Sequence, residues 1–573
     1  MSHNTNAEEL EAKGDLQGDT QQVHPSKILD RAYFTAKEYK FLITGILVQA
    51  FLYSFEANIF YSCLPYITAT FLASSLGSIL PIILQILSAA LVPFYTKVSD
   101  VVGRAEALTC ALVFYLIGYA IQGTSQSFVQ LAVGQIAYGI GSTGMLTLTQ
   151  VLIADTTRLI DRGIIFALWD LPGLVNVFVA TLLQDPLTIG KGANWRNVYI
   201  LASVATVFGA IAILVPLWHL QRKVERMFVK NNRTVERRSI RWLLNEFDSV
   251  GALLLTLGMS LTLLPMIVAK TYEGNWGNPT ILGLFISGVV SFGLLVVWEI
   301  KFTNKPILPM RIWANRTCSG GLVVGFFITV MSSMNWQYFT LYLVVSRNLT
   351  FGKAFLLGRG YQAAYAIFQI FTGFAIKRYK TCRRFIWAGI IVHTLGIGLM
   401  IPARLPTSSD AFVVISQAIV GAAGGTVTIA TTVSVTGAVE KEDVAVIIGM
   451  STILGAFGSA FGNALAGGVW TQYLPMRLAL RVTGPYDEDG AMNNPLEYIS
   501  GLDRETWGQV VEAYADSQLL LSSVAMAFAV FACIGAAFMQ HVDLLKDQPP
   551  DISLDAVRTE NESSESVEEK PKN

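Results

Sequence analysis

The sequence predicts an all-α, polytopic membrane protein, and three observations carry that prediction. Of its 573 residues, 14% are charged and 53% hydrophobic. A soluble domain carries about 25% charged residues, so this chain has too few to cover a water-facing surface. The apolar residues fall in blocks of about 20, each enough as a helix to cross roughly 30 Å of hydrocarbon, whereas a transmembrane β-barrel would show short segments of alternating polarity. Lys and Arg gather in alternate loops, as they do when one side of a bundle faces the cytoplasm.

In chain order, residues 1–40 are polar ("EELEAKGDLQGDTQQ") and are expected to form a disordered cytoplasmic tail. No apolar region with a small-residue cleavage site precedes the first span, so no cleaved signal peptide is expected. A first six-helix half covers 41–218, with spans at about 41–65, 75–95, 106–123, 128–152, 163–183 and 198–218. Residues 219–249 form a basic cytoplasmic linker. The second part, 250–545, holds eight spans at about 250–269, 281–299, 319–344, 354–376, 385–402, 411–435, 444–470 and 518–540, which makes about fourteen in all. Between the last two lies an extracellular loop at 471–517. In it Trp507, Val510, Val511 and Tyr514 recur at three- and four-residue spacing, the pattern of a short amphipathic helix that would cap or gate a pathway or serve as a connector. Residues 546–573 are acidic and Ser-rich and read as a disordered cytoplasmic tail.

With the N-terminus inside, the inner loops collect Lys97 and Arg104, Arg158 and Arg162, the linker cluster Arg222 to Arg241, Lys301 to Arg316, and Lys377 to Arg384. The outer loops hold Lys191, Arg196, Lys270, Arg347, Lys353 and Arg404. Both termini are therefore expected to be cytoplasmic. The 41 basic residues equal the 41 acidic ones, so no cationic excess points to nucleic acid. The five cysteines, Cys63, Cys110, Cys318, Cys382 and Cys533, form no CxxC or Cys/His cluster; neither a metal site nor a cofactor is expected. "GIGSTG" lies in a span and lacks the GK[ST] ending of a phosphate loop. "NLT" at Asn348 is an outer-side glycosylation sequon. The glycines of "GAAGGT" and of span thirteen have small-xxx-small spacing, which permits close helix approach.

Between spans two and three the chain reads "YTKVSDVVGRAEA". Asp100, Gly103 and Arg104 have D-x-x-G-R spacing: Gly permits a tight turn, and the charges can latch neighbouring helix ends. This resembles the inter-helix signature of the major facilitator superfamily of secondary transporters. Thr96 stands at the signature's leading Gly position, and Ala105 and Glu106 replace its following basic pair. "KVSDVVGRAEA" is similar to the version found in fungal siderophore–iron transporters, as are "LTLTQVLIADTTRLIDRG", "NWRNVY", "KPILPMRIWANRT" and "WQYFTLYLVVSRN". The resemblance covers about residues 30–545. It implies two helical bundles around a central cavity plus two extra helices. It also implies an inner gate in which Arg104 pairs with Asp155, Asp100 faces the second half and Arg162 follows. Drug antiporters of the superfamily carry an Arg where "QIAYGIG" has Gln135, and their span-five glycine motif is absent, so uptake is favoured over efflux. The implied activity is import of a ferric siderophore, coupled to a proton, by a monomer in the plasma membrane or cycling through endosomal vesicles. A related carrier of haem, glutathione or drugs is the alternative.

Ionisable side chains inside spans are costly, which makes each a functional candidate. Glu56 shares a helical face with Gln49, Tyr53 and Phe60 and is a candidate for proton coupling; a structural carboxylate between helices is the other reading. Asp170 sits beside Pro172 and Gly173, where a missing backbone donor can kink the helix; it is a second candidate for proton coupling and reads equally as a gating group or a substrate contact. His393 lies mid-span, either as a proton relay or as a packed histidine. Asn335, Tyr338 and Tyr342 share one face, Tyr361, Tyr365 and Gln369 another, with Trp336, Gln337 and Arg359 nearby. Such surfaces suit a bulky, polar, nearly neutral ligand. A ferric hydroxamate is of that kind, because its own ligands cancel the iron charge. Tyr53, Trp336, Gln337, Tyr338, Arg359, Tyr361, Tyr365 and Gln369 are the substrate-binding candidates.

Overall fold

In hydrocarbon a peptide group has no water to bond, so each apolar block closes its own backbone hydrogen bonds as a helix. The computed structural model describes residues 22–23, 34–71, 79–188, 194–230, 234–235, 248–269, 275–303, 306–349, 351–440, 443–483, 487, 490–491, 498–499, 501–542 and 544. The first half comprises α1 (Ala36–Thr70), α2 (Ile79–Val101), α3 (Arg104–Gly123), α4 (Phe128–Thr156), α5 (Leu159–Asp170), α6 (Pro172–Thr188) and α7 (Arg196–Lys230). The second comprises α8 (Ser249–Val268), α9 (Pro279–Lys301), α10 (Met310–Ala314), α11 (Arg316–Trp336), α12 (Phe339–Arg347), α13 (Phe351–Leu357), α14 (Gly360–Tyr379), α15 (Arg383–Ala403), α16 (Asp410–Gly437), α17 (Val444–Arg481), α18 (Arg504–Ala527) and α19 (Ala529–Phe538). Outside the helices, β1 (Gln22–Val23) and β2 (Thr234–Val235) pair in parallel.

Polar side chains set several helix starts by accepting first-turn amides. Ser127 accepts from Gln130 and Ser409 from Phe412; Asn278 accepts from Thr280 with Pro279 behind it. The α5/α6 break falls at Leu171, where Pro172 has no amide to continue the ladder.

Each of the fourteen predicted positions carries a helix. Among the described residues, 11 helices are long and apolar enough to cross a membrane. The apolar stretches of α2 and α8, Ile83–Ser99 and Ser249–Leu263, are shorter, and α14 is diluted by Tyr361, Gln362, Tyr365, Gln369, Lys377 and Arg378.

Within the first half α3 runs along α4, and α1 packs on α6 and α7. In the second, α14 and α15 flank α16, and α11 packs on α17 and α19. Small residues permit these approaches. A Cβ on Gly118 would lie 2.3 Å from the Tyr138 backbone nitrogen, and one on Gly421 would lie 2.1 Å from the Tyr361 carbonyl oxygen. The halves meet along two seams, α2 with α17 and α5 with α14 and α16. The α8–α9 hairpin packs beside the first seam, where Leu255, Met259 and Leu295 join Ala89, Val92 and Ile453. At the face that carries the basic loops the halves touch directly. Val151 and Ala154 pack on Val444, Ala445 and Ile448, Lys377 pairs with Asp161 at 2.6 Å, and a Cβ on Gly373 would lie 3.0 Å from Ile164.

Two boundaries differ from expectation. Helix α7 runs on to Lys230, so Arg222, Lys223 and Arg226 of the expected linker ride on a helix. On the opposite face α17 continues past the expected end near 470 to Arg481, and the amphipathic segment is the beginning of α18 rather than a separate helix. Val510, Val511 and Tyr514 are buried there as the spacing requires. The two extensions are clasped by charge, which sequence spacing does not report: Arg477 and Arg481 both bond Asp516, and Arg481 also bonds Glu512. Asp503 caps α18, and its bonds from Thr506 hold its carboxyl below the usual range. The tails at 1–21 and 546–573 and the greater part of 484–500 lie outside the described residues.

Overpacking a tight helix crossing costs about 1–3 kcal/mol. Gly118→Leu is therefore expected to lower the melting temperature of the purified protein. Gly283→Leu, at a position with nothing within 4 Å, should leave it unchanged; equal melting of the two variants would refute the close α3–α4 crossing.

Candidate functional site

The D-x-x-G-R turn joins α2 to α3. Gly103 has φ 120, a conformation that favours glycine. It brings Arg104 back under the bundle, 3% exposed, where Nε donates to Asp155 Oδ2 at 3.1 Å and the guanidinium also bonds Ser99. Asp155 closes α4, so the pair ties the α2–α3 turn to that helix. Arg162, in the first turns of α5, donates from Nη2 to the Ala154 carbonyl at 2.9 Å. The side chain of Asp100 lies outside the described residues. Glu106, one of the departures from the common signature, has a partner on α7: Gln221 Nε2 donates to both carboxylate oxygens, at 2.8 and 3.1 Å, while its Oε1 accepts from the Ala105 amide.

Glu56 is fully buried between α1, α3 and α4. Tyr115 Oη donates to one carboxylate oxygen at 2.7 Å and Tyr138 Oη to the other at 3.2 Å. Tyr119 stacks on Tyr115 with 5.3 Å between centroids, and Phe60 stacks on Tyr138 at 6.0 Å. The carboxylate thus sits in a cage of phenols inside the first half. Sequence reading chose Glu56 but missed the tyrosines. The signal was present: Tyr115 and Tyr119 stand four apart in an apolar span, and a buried phenol needs a polar partner.

A second group lies on the α5/α14 seam. Gln369 Nε2 donates to Asp170 Oδ2 at 2.9 Å, a bond from one half to the other. Gln369 is buried, whereas Asp170 is exposed despite lying within a membrane span. A charge at that depth faces a bundle interior or an aqueous gap. On the Asp170 side Tyr53 stacks on Trp169 at 6.3 Å. On the other side Tyr365 stacks on Tyr361 at 5.7 Å, and Tyr361 meets Trp336 at 4.2 Å. His393 reaches the same place from α15. A Cβ on Gly424 would lie 3.5 Å from Tyr361 Oη, 3.5 Å from Tyr365 and 3.7 Å from His393. Neither ring nitrogen of His393 has a hydrogen-bond partner among the described residues.

Three candidates stand apart from this seam. Tyr338 stacks on Trp470 at 4.5 Å, and Trp470 meets Tyr514 edge-on, so Tyr338 belongs to the packing of α17 on α18. Gln337 is exposed at the α11/α12 break, and Arg359 bonds Gln362 on its own helix. Arg404, which the charge count placed in an outer loop, is 1% exposed. Its guanidinium lies 3.6 Å over the Phe339 ring, and Nη2 donates to the Asn335 carbonyl at 3.2 Å. No group of three or more His, Cys, Asp or Glu able to hold a metal occurs among the described residues.

Comparison with known proteins gives a consistent picture. A family model described as Major Facilitator Superfamily matches residues 46–358. "Siderophore iron transporter mirC" of Emericella nidulans is 28% identical over 480 residues, 82% of this chain and 79% of that protein. "Siderophore transporter fer7" of Mycosarcoma maydis is 26% identical over 85% and 77%, and "Siderophore iron transporter ARN1" of Saccharomyces cerevisiae is 24% identical over 89% and 82%. Among solved structures, the human organic anion transporter MFSD10 (TETRAN) aligns with TM-score 0.51 at 13% identity, over 86% of this chain and 99% of that one. A bacterial homologue of the human lysosomal transporter Spinster aligns with TM-score 0.50 at 15% identity, over 90% and 100%. These two likenesses concern the fold alone.

Breaking a buried pair by removing one partner costs about 3–5 kcal/mol, because the remaining charge is stranded. Asp155→Asn and Arg104→Gln should each lower thermal stability sharply, and the double variant should lose less than the sum of the two. Strict additivity in that cycle would show that the 3.1 Å pair carries no coupling.

Proposed function

Because the chain belongs to the major facilitator superfamily, we propose that this multi-pass membrane transporter imports ferric siderophore chelates, by proton symport and alternating access. Membership makes it a transporter rather than an enzyme. The observation that carries the cargo is the set of relatives named as siderophore transporters, aligned over about four-fifths of their length and of this chain. The seam chemistry supports it. Trp336, Tyr361, Tyr365, Gln369 and Tyr53 offer ring faces and an amide around one exposed carboxylate, which suits a bulky chelate whose iron is already saturated by its own oxygens. Arg359, Gln337 and Tyr338 would then act away from the cargo.

In this reading Glu56 carries the proton. As a carboxylate it accepts from both phenols; once protonated, it has one oxygen that donates and competes with a tyrosine for its place. Taking up a proton therefore loosens the tie of α1 to α3 or α4. Asp170 would answer to the cargo, since its partner Gln369 belongs to the other half and the bond must break when the halves separate there. His393 has no carboxylate to relay to among the contacts described and would serve as packing beside Tyr361 and Tyr365. Arg104, Asp155, Gly103 and Arg162, with Asp100, would form the inner gate. The transporter would work as a monomer with both termini cytoplasmic, in the plasma membrane and endosomal vesicles.

Expression in a yeast strain lacking its own siderophore uptake should restore accumulation of radiolabelled ferric hydroxamate. Correct surface expression with no uptake of any ferric chelate overturns the proposal, and competition by unlabelled haem or glutathione would reassign the cargo. Glu56→Gln should leave protein levels intact and flatten the pH dependence of uptake; an unchanged pH profile removes Glu56 from coupling. Asp170→Asn keeps an acceptor for Gln369 but loses the charge. It should weaken apparent affinity more than it changes the pH profile.

A further inference from the structure

The turn between α14 and α15 borders a cavity of about 790 Å³ that is open to the surface, lined chiefly by Tyr379, Lys380, Arg383, Arg384, Trp387 and His541. Three of these are permanent cations, and no lining residue is acidic. Lys377 on the same helix spends its charge on Asp161. Lys380, Arg383 and Arg384 have no ion pair among the described residues. Lys380 has φ 54 and ends α14, which turns the chain tightly enough to crowd these charges together. Arg383 opens α15, and no side chain caps the first-turn amides of that helix, so the positive end of a long helix adds to the field.

Immediately toward the middle of the spans, Phe371, Phe374, Ile391 and Leu395 are 64%, 55%, 52% and 62% exposed. These are the lipid-facing sides of α14 and α15. The cationic cavity therefore sits where the apolar surface ends, with Tyr379 and Trp387 at the level that amphipathic rings favour. We propose that this cavity binds the phosphate-bearing headgroup of an anionic phospholipid, whose acyl chains lie on the exposed faces of α14 and α15. Arg383 and Arg384 supply the planar forks that meet phosphate oxygens in pairs, and Lys380 supplies a point charge. The apolar faces continuous with the cavity favour a lipid over a free anion. The bound headgroup grips the end of the helix that bonds across to α5 through Gln369 and Lys377. The inference holds whatever cargo is carried.

The test is lipid retention by the full-length chain purified in mild detergent, with bound phospholipids quantified by mass spectrometry. Wild type should retain phosphatidylserine or phosphatidylinositol above its share of the membrane. Lys380→Gln, Arg383→Gln and Arg384→Gln combined should fall to the bulk ratio. Arg222→Gln, Arg226→Gln and Arg316→Gln combined, which remove the same charge from exposed sites elsewhere, should keep the enrichment. Equal retention in the first variant, or equal loss in the second, overturns the site. Adding phosphatidylserine in mixed micelles should raise the wild-type melting temperature, and glycerol phosphate or inorganic phosphate at the same concentration should not. A rise with free phosphate overturns the lipid assignment in favour of a soluble anion. Should the triple variant fail to purify as a monodisperse peak, Arg384→Gln alone is read by the same criterion.

Discussion

Lipid accepts no hydrogen bonds from the backbone, and the rest of the structure follows from that constraint. Every block of apolar residues must close its own ladder, so the elements are helices before any tertiary contact forms. The same medium removes the usual drive for helices to associate, because lipid tails are as apolar as leucine. What remains is close packing and polar ties. Glycines supply the first at Gly118 and Gly421, where a single Cβ would collide with a neighbouring backbone, and at Gly373, where it would sit tight against one. The second comes from a few buried groups whose partners lie on other helices: Arg104 with Asp155, Glu56 with Tyr115 and Tyr138, and Gln221 with Glu106.

These ties divide into two kinds. The three just named lie within the first half, so they hold that half rigid and survive any motion of one half against the other. Asp170–Gln369 and Asp161–Lys377 run between the halves and must break if the halves separate on that side. Strong buried pairs inside a bundle and exposable ones between bundles are compatible with the proposed alternating access.

The helices were legible because the bilayer sets their length and the apolar blocks report it, and helix spacing found the buried face of Val510, Val511 and Tyr514. The D-x-x-G-R turn was legible because only glycine suits the conformation at Gly103. Long-range polar partners were not. Nothing in the spacing of Tyr115 and Tyr138 says that both phenols converge on Glu56 from two other helices, and nothing near Arg477 and Arg481 points to Asp516. Arg404 lies in the turn after α15, as the charge count by loop has it, but that count does not report burial; a guanidinium over an aromatic ring with carbonyls nearby can be buried without a counter-charge. Spacing also does not say which tyrosines lie together. Tyr338 and Tyr361 look alike in sequence, yet one packs against Trp470 in the α17–α18 extension and the other faces the seam.

The energetics of the closed face bear on how easily it opens. Lys377 and Asp161 keep side-chain exposures of 52% and 26%, and a pair that open to water contributes about 0–1 kcal/mol. Gln369 to Asp170 is a single hydrogen bond with one charged partner, of order 1.5–3 kcal/mol at most. The apolar contacts of Val151 and Ala154 on Val444, Ala445 and Ile448 involve small or medium side chains, while Leu159, Phe166 and Ala167 share a buried apolar core with Ile376, Ile429 and Val433. Among the described residues the polar ties on this face are individually weak, and apolar packing of α5 on α14 and α16 holds the rest. Under the proposed cycle, binding a bulky chelate at the Asp170 seam needs to supply only the few kcal/mol that distinguish the two arrangements, which is within reach of a ligand with several ring and amide contacts. The buried Arg104–Asp155 pair would be far costlier to break, so the opening motion should leave it intact and carry it as part of a rigid body.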